Sequence, residues 1–358
     1  MVKSGYKVFE GKKILVTGDT GFKGSWLAYW LYHLGAEVYG FALPPEREYD
    51  HYARLGMEKC IRHKDGDVRD FTRTHEYMEK IQPEFVFHLA AQPIVRKSYD
   101  DPKKTFDTNI GGTVNILEAV RLTASVKALV TITSDKCYKN KEWCWGYREN
   151  DELGGKDPYS ASKAAAEIVF SAYQDSFFNQ RPKFGAASVR AGNVIGGGDW
   201  SADRIVPDCI RALEGNCPIE LRNPHATRPW QHVLDPLSGY LLVASRLYED
   251  PEKYRGSYNF GPNSQEMHTV QDVALELISV WGSGEIRITK KQSDPPESGL
   301  LHLNCDRAHQ VLGWYPRWDF KTSIEKTARW YKSVKSGKSA ESVTKQQITE
   351  YMENQKHD

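Results

Sequence analysis

The stretch Lys12-Lys13-Ile14-Leu15-Val16-Thr17-Gly18-Asp19-Thr20-Gly21-Phe22-Lys23-Gly24 constrains this chain more than any other. A short apolar run enters a glycine turn and leaves through Ser25-Trp26-Leu27-Ala28-Tyr29-Trp30-Leu31, which reads as helix. Strand, glycine turn and helix together are the context in which such glycines bind a dinucleotide. Glycine accepts positive φ and brings backbone N–H groups against a pyrophosphate at the helix N-terminus. The spacing is G-x-x-G-x-x-G, so Gly18, Thr20, Gly21, Phe22, Lys23 and Gly24 are candidate cofactor contacts.

Residues 12–90 alternate short apolar runs with helical stretches, the βαβ rhythm of a parallel sheet. The fold class expected is α/β: a Rossmann-type doubly wound parallel sheet with a smaller α/β C-terminal substrate-binding domain. A second strand over residues 36–42 should meet the adenosine ribose, where an acidic residue usually receives the 2'-hydroxyl of NAD. Ala42-Leu43-Pro44-Pro45 offers none, with Glu46 and Arg47 just beyond; NAD is favoured over NADP. Asp67, before Val68, either accepts from the adenine amino group or caps the helix beginning at Phe71. The fourth strand runs into Leu89-Ala90-Ala91-Gln92, whose small residues let backbone approach a cofactor, and His88 reads as a satisfied core histidine. A further helix opens around residue 108, with Asn109 as a packing hydrogen-bonder.

The fifth strand, residues 128–133, delivers Ser134-Asp135-Lys136 to the carboxyl edge of the sheet, where ligands of open α/β folds bind. After a long aromatic loop, Asp157 and Pro158 form the cap and first position of a helix carrying Tyr159 and Lys163 on one face. A phenol titrates near ~10, and a fixed cation beside it favours phenolate, moving it toward general-base range. Beyond a sixth strand at 185–190 lies a glycine-rich crossover with Asn193, then Arg204 and Arg228, whose forked guanidinium groups suit a diphosphate. Asp235 is expected to cap a helix through about residue 248, and residues 293–297 could line a nucleotide pocket.

The glycine spacing followed by Tyr-x-x-x-Lys resembles the extended short-chain dehydrogenase/reductase family. Ser-Asp-Lys-Cys-Tyr, Glu-Trp-Cys-Trp-Gly-Tyr-Arg-Glu-Asn-Asp and Asp-Pro-Tyr-Ser-x-Ser-Lys together resemble its CDP-glucose 4,6-dehydratase branch, over residues 11–330. The related dTDP-glucose and GDP-mannose dehydratases carry Asp-Glu or Ser/Thr-Glu where this chain has Asp135-Lys136. The resemblance implies NAD as cofactor and CDP-glucose as substrate, in a pathway to deoxysugars of the O-antigen type. It implies Ser134, Asp135, Lys136, Tyr159 and Lys163 as catalytic, and Gln92, Asn193, Arg204 and Arg228 as substrate contacts. A homodimer or homotetramer, built by pairing long helices, is also implied. Alternatives are a sugar-nucleotide 4-epimerase, which has no task for Asp135 or Lys136, a dehydratase of another nucleotide-hexose, and a non-catalytic NAD(P)-binding subunit.

A formal net charge of +1 over 358 residues, without a basic run, disfavours nucleic acid and anionic membrane as partners. Residues 1–11 lack an apolar signal segment, and no stretch approaches the ~20 apolar residues of a membrane span. A cytoplasmic protein is expected. Six scattered cysteines read as reduced thiols, and eleven histidines without paired spacing give no support for a metal site. The expected division is a dinucleotide domain of residues 1–192 and 232–262 and a nucleotide-sugar domain of 193–231 and 263–333. A loosely held polar tail, 334–358, would follow.

Overall fold

Strand β1 (Lys13–Thr17) sits between β2 (Glu37–Ala42) and β4 (Phe85–His88), each parallel to it. With β3 (Arg62–Asp65), β5 (Ala128–Ile132), β6 (Gly185–Ala191) and β7 (Gly256–Phe260) they form one parallel sheet in the order β7-β6-β5-β4-β1-β2-β3. The order reverses between β1 and β4, which opens a crevice at their carboxyl ends. The computed structural model describes residues 6–263, 267–289 and 300–353. Residues 293–297 lie outside that set.

The inner strands are apolar on both faces because each face is covered. Ile14 and Val16 of β1 pack into one cluster and Leu15 into the other, and Val130 and Leu129 of β5 divide in the same way. One face carries α1 (Phe22–His33), whose residues Gly24 to Leu31 are all buried. The other carries α2 (Phe71–Ile81) and α3 (Gly112–Leu122), with α4 (Pro158–Ser176) beside α3. Asp70, not Asp67, caps α2, accepting from the amide of Arg73 at 3.0 Å. The helix expected near residue 108 begins earlier, at Pro102, and passes through a wider π turn, Asp107–Gly111, before α3. Asp157 caps α4 with Pro158 in its first position, as the sequence predicts.

Beyond the sheet, α5 (Ile205–Glu214) precedes Ile219–Leu221, which pairs in parallel with Ile286–Ile288. α6 (Leu234–Glu249) returns the chain to the sheet, and α7 (Val270–Trp281) and α8 (Phe320–Lys335) pack together. Asp235 lies inside the first turn of α6 rather than capping it. Its buried carboxylate instead accepts from the Arg317 amide at 2.8 Å and the Tyr351 hydroxyl at 2.7 Å.

Tyr351 belongs to the largest departure from the sequence reading. In place of a loose tail, residues after 339 form α9 (Ala340–Glu353), which buries Val343, Thr344, Ile348 and Tyr351. Thr344 Oγ1 accepts from Trp330 Nε1 at 2.9 Å and lies 3.2 Å from His51 Nε2, so the helix closes the outer side of α1. A polar, lysine-rich composition concealed this narrow apolar stripe, since only one face of α9 meets protein. Tyr351→Phe is expected to cost about 1–3 kcal/mol, because Asp235 loses a donor it cannot replace with water. Chemical denaturation of the variant measures it. No helix among the described residues is long and apolar enough to cross a membrane.

Candidate active site

The carboxyl ends of the strands open on a cleft of about 2000 Å³. The glycine turn after β1 forms its floor. Gly18 has φ +74°, and a Cβ there would lie 2.7 Å from the Ala90 amide nitrogen; one on Gly24 would lie 1.9 Å from the Gly18 carbonyl oxygen. Only glycine lets turn, helix and β4 loop approach this closely. α1 starts from Gly21 without a side-chain cap, leaving first-turn amides and the positive end of the helix dipole facing the cleft. This cradle fits the pyrophosphate of a dinucleotide. Thr20 donates to the Leu43 carbonyl at 2.9 Å, fixing the turn to the end of β2.

Asp67, Val68, Leu89, Ala90 and Ala91 line the same cleft. Asp67 is gripped by Arg69 through its side chain, at 2.6–3.1 Å, and its amide, at 3.0 Å. Those bonds hold its carboxyl below the usual range. His88 is a buried structural histidine: its ring nitrogens lie 2.8 Å from Thr17 Oγ1 and 3.2 Å from Thr113 Oγ1.

At the tip of β5, Ser134 Oγ donates to Asp135 Oδ1 at 2.9 Å and accepts from the Lys136 amide at 3.2 Å. Asp135 is buried against Gly192, where a Cβ would stand 2.1 Å from Oδ2, and that oxygen has no protein partner. Tyr159, in the first turn of α4, is 7% exposed and lies near enough to Ser134 for the hydroxyl to bear on its titration. Lys163, one turn on, is buried beside it. The π turn has a place in this arrangement. Its Asn109 donates to Ser162 Oγ at 2.8 Å and accepts from the Gln92 amide at 2.7 Å, tying the β4 loop to the tyrosine helix.

The electrostatics differ from the expectation that Lys163 lowers the phenol. Burial pushes Tyr159 up to about 12, with Asp135 adding to the rise and Ser134 and Arg204 opposing it. Burial also pushes the Lys163 ammonium down to about 8. In the protein alone burial leads both shifts, opposed at Tyr159 by Ser134 and Arg204 and at Lys163 by Glu167 and Cys137.

Asn193, Arg204 and Arg228 also line the cleft. Asn193 adopts positive φ, 37°, and its buried Oδ1 has no protein partner. Arg204 pairs with Asp199 at 2.8 Å, and Arg228 donates to the Thr227 carbonyl at 2.7 Å. Gln92, expected to meet substrate, has turned inward: Nε2 donates to Thr105 Oγ1 at 3.0 Å and Oε1 accepts from the Ile94 amide at 2.7 Å. The β4 loop uses this side chain to hold its own shape.

Two residues had no sequence signal. Asp19, fully buried beneath the glycine turn, lies 2.7 Å from His63 Nδ1 of β3. A Cβ on Gly40 would come within 2.1 Å of its carboxylate, which explains a glycine inside β2. Burial pushes Asp19 up; burial alone would lower His63, but the bonds and charges of Asp19 and Asp65 together raise it. The aromatic loop, by contrast, is largely packing. Tyr138 and Tyr147 stack at 5.1 Å and Trp143 stacks on Tyr147 at 5.3 Å, while Trp145 is exposed.

The profile of the GDP-mannose 4,6 dehydratase family matches residues 15–327. The chain belongs to that family. A CDP-glucose 4,6-dehydratase from Salmonella typhimurium is 44% identical over 348 residues, 96% of this chain and 97% of the relative. Among solved structures, the epimerase Mth375 of Methanothermobacter thermautotrophicus superposes with a TM-score of 0.79 at 22% identity, over 94% of this chain and 96% of that one. Thermus thermophilus UDP-glucose 4-epimerase in complex with NAD gives 0.75 at 26%, over 89% and 99%. This member of the GDP-mannose 4,6 dehydratase family is therefore a hydro-lyase on a Rossmann-type α/β fold.

Proposed function

We propose that the protein converts CDP-D-glucose to CDP-4-keto-6-deoxy-D-glucose, a step toward deoxysugars. Tyr159 accepts the proton of the 4-hydroxyl, which Ser134 holds, and Lys163 lies beside the phenol. Bound NAD supplies the hydride acceptor at C4 and the donor at C6 and is regenerated in each turnover. Once C4 is a ketone, the C5 proton is acidic and water can leave across C5 and C6. Asp135 protonates the departing hydroxyl, and Lys136 takes the C5 proton. Arg204, Arg228 and Asn193 hold the nucleotide sugar in the cleft they line. Cytidine specificity is supported by the 44% identity to a CDP-glucose dehydratase.

NAD is the proposed form over NADP. Near the end of β2, Arg69 is neutralised by Asp67 and so is not spare for a 2'-phosphate, while Arg47 is turned toward the Trp200 carbonyl at 3.1 Å. Equal affinity for NADP+ in a fluorescence titration would remove this preference. Six free thiols fit a cytoplasmic setting.

One observation carries the dehydratase reading: the buried Asp135 carboxylate, with an oxygen unclaimed by protein, next to Tyr159. A 4-epimerase would use Tyr159, Lys163 and Ser134 and leave Asp135 idle. Asp135→Asn is expected to slow water loss by about 10²–10⁴-fold while NADH still forms on mixing with NAD+ and CDP-glucose. Product analysis alongside absorbance of the reduced ring checks both. Dehydration at the unchanged rate would refute the assignment.

A further inference from the structure

Between β6 and α5 the chain runs through Gly196-Gly197-Gly198-Asp199, a turn in which three consecutive residues have no side chain to hold its shape. It is held from outside instead. Trp26 Nε1 of α1 donates to the Gly197 carbonyl at 2.9 Å. The Tyr331 hydroxyl of α8 donates to the Asp199 carbonyl at 2.6 Å, with the Gly196 carbonyl a longer second acceptor at 3.4 Å. The fit is close: a Cβ on Gly197 would collide with the Trp330 indole, and one on Gly198 with the His51 ring. Thr344 of α9 sits behind both rings, 2.9 Å from Trp330 Nε1 and 3.2 Å from His51 Nε2. The turn ends on the buried Asp199, whose Oδ1 accepts from the Ser201 amide at 3.1 Å and Oδ2 from Arg204 Nη1 at 2.8 Å. Arg204 lines the cleft, so an unbroken set of bonds runs from α8 through the turn to a cation at the ligand site. Tyr331 is 1% exposed and stands edge-on to Trp200 at 5.1 Å, so packing fixes its orientation. Burial pushes its phenol well above the ordinary value, which keeps it a donor at any working pH. Trp330, Tyr331 and Thr344 lie beyond residues 15–327, the span matched by the family profile.

We propose that Tyr331 is a positioning residue for the nucleotide-sugar site: its hydroxyl fixes the backbone of Asp199, and the Asp199 carboxylate holds Arg204 in the orientation that grips a diphosphate. This rests on the reading that Arg204 meets the diphosphate of the sugar nucleotide. A guanidinium on a flexible stem loses rotamer freedom when it binds an anion, and a carboxylate that is itself fixed takes up part of that ordering before the ligand arrives. The contribution falls on ligand affinity rather than on the chemical step, because Tyr331 acts through Asp199 and Arg204 and not on the reacting atoms. α9, packed behind Trp330 and His51, supports the same turn.

Tyr331→Phe removes the hydroxyl and keeps the ring against Trp200. Calorimetry first finds which of CDP, UDP, dTDP and GDP the wild type binds; that diphosphate is then titrated into the variants, and NAD+ separately. Diphosphate affinity of Tyr331→Phe should fall about three- to tenfold, the scale of one hydrogen bond, with NAD+ affinity kept within about twofold. KM for the sugar nucleotide should rise by the same factor while kcat moves little. In an Arg204→Met background the same change should cost nothing further, because two residues acting through one contact are not additive. Asp199→Asn weakens the next link and should lower diphosphate affinity likewise, which keeps the test decisive if Tyr331→Phe folds poorly. Unchanged or higher diphosphate affinity in either variant would overturn the proposal. So would equal losses of diphosphate and NAD+, the mark of a merely structural tyrosine, or additive losses in the double variant. Unchanged diphosphate affinity in Arg204→Met, or a wild type that binds none of the four, would instead remove the reading of Arg204 and this proposal with it.

Discussion

Tyr159→Phe is expected to lower kcat for formation of the 4-keto product by about 10²–10⁴-fold while changing KM little. Phenylalanine fills the same space in the first turn of α4, so the backbone bond from the Tyr159 amide to Ser98 Oγ at 3.2 Å and the cap at Asp157 are kept. What is lost is the phenolic hydroxyl that lies near Ser134 and lines the cleft. Burial holds that phenol at about 12 in the protein alone, so phenolate is scarce at neutral pH until a cation joins the site. Wild-type turnover should therefore rise with pH on the acid side as Tyr159 and Lys163 give up protons, and the variant should lose that limb. Steady-state kinetics across pH report both effects. A loss below tenfold would contradict a proton-accepting role.

Glu167→Ala should destabilise the fold by about 3–5 kcal/mol, a large share of the roughly 5–15 kcal/mol that holds most domains together. Glu167 in α4 is buried, and its carboxylate accepts Arg190 Nε at 2.9 Å and Nη2 at 2.8 Å. Ser188 donates to it at 2.7 Å and Thr133 also donates to it. Truncation strands the Arg190 guanidinium in the interior with only Tyr138 and the Glu149 carbonyl. Burial alone would raise Glu167, but Arg190, with the Thr133 and Ser188 hydroxyls, holds the carboxyl below its ordinary range. Its stabilisation is thus fully present above the unfolded value near ~4.3 and is lost as pH falls through the lower folded value. Urea unfolding at neutral and acid pH should show the gap between wild type and variant closing in acid. Replacing Glu167 and Arg190 together with apolar residues should recover part of the loss. Thr133 precedes Ser134, so the same variant should also loosen the catalytic tip of β5.

The glycine turn, the parallel sheet and the Tyr159 helix were legible in the sequence because each is encoded locally: glycines at fixed spacing, β-branched runs, and an Asp-Pro start. Residues far apart in sequence but joined in space were not. Asp19 and His63 carry no spacing that links them, yet they meet beneath the turn. Asp235 reads as a cap because a carboxylate before Pro236 is a common helix start; its true partners come from residues 317 and 351. Gln92 lies at the expected edge of the cleft, but its amide satisfies its own loop. The phenol is not lowered as the spacing of Tyr159 and Lys163 predicts, for a physical reason. Sequence spacing gives proximity, and burial, which spacing does not report, governs both groups.

The most direct test follows deuterium from C4. CDP-D-glucose labelled there is incubated with enzyme and NAD+, beside dTDP-glucose, UDP-glucose and GDP-mannose, and the products are read by mass spectrometry. Internal oxidation, elimination and hydride return predict that the CDP sugar loses one water and keeps its deuterium, now at C6. A product of unchanged mass, or water loss with the label exchanged into solvent, would contradict it.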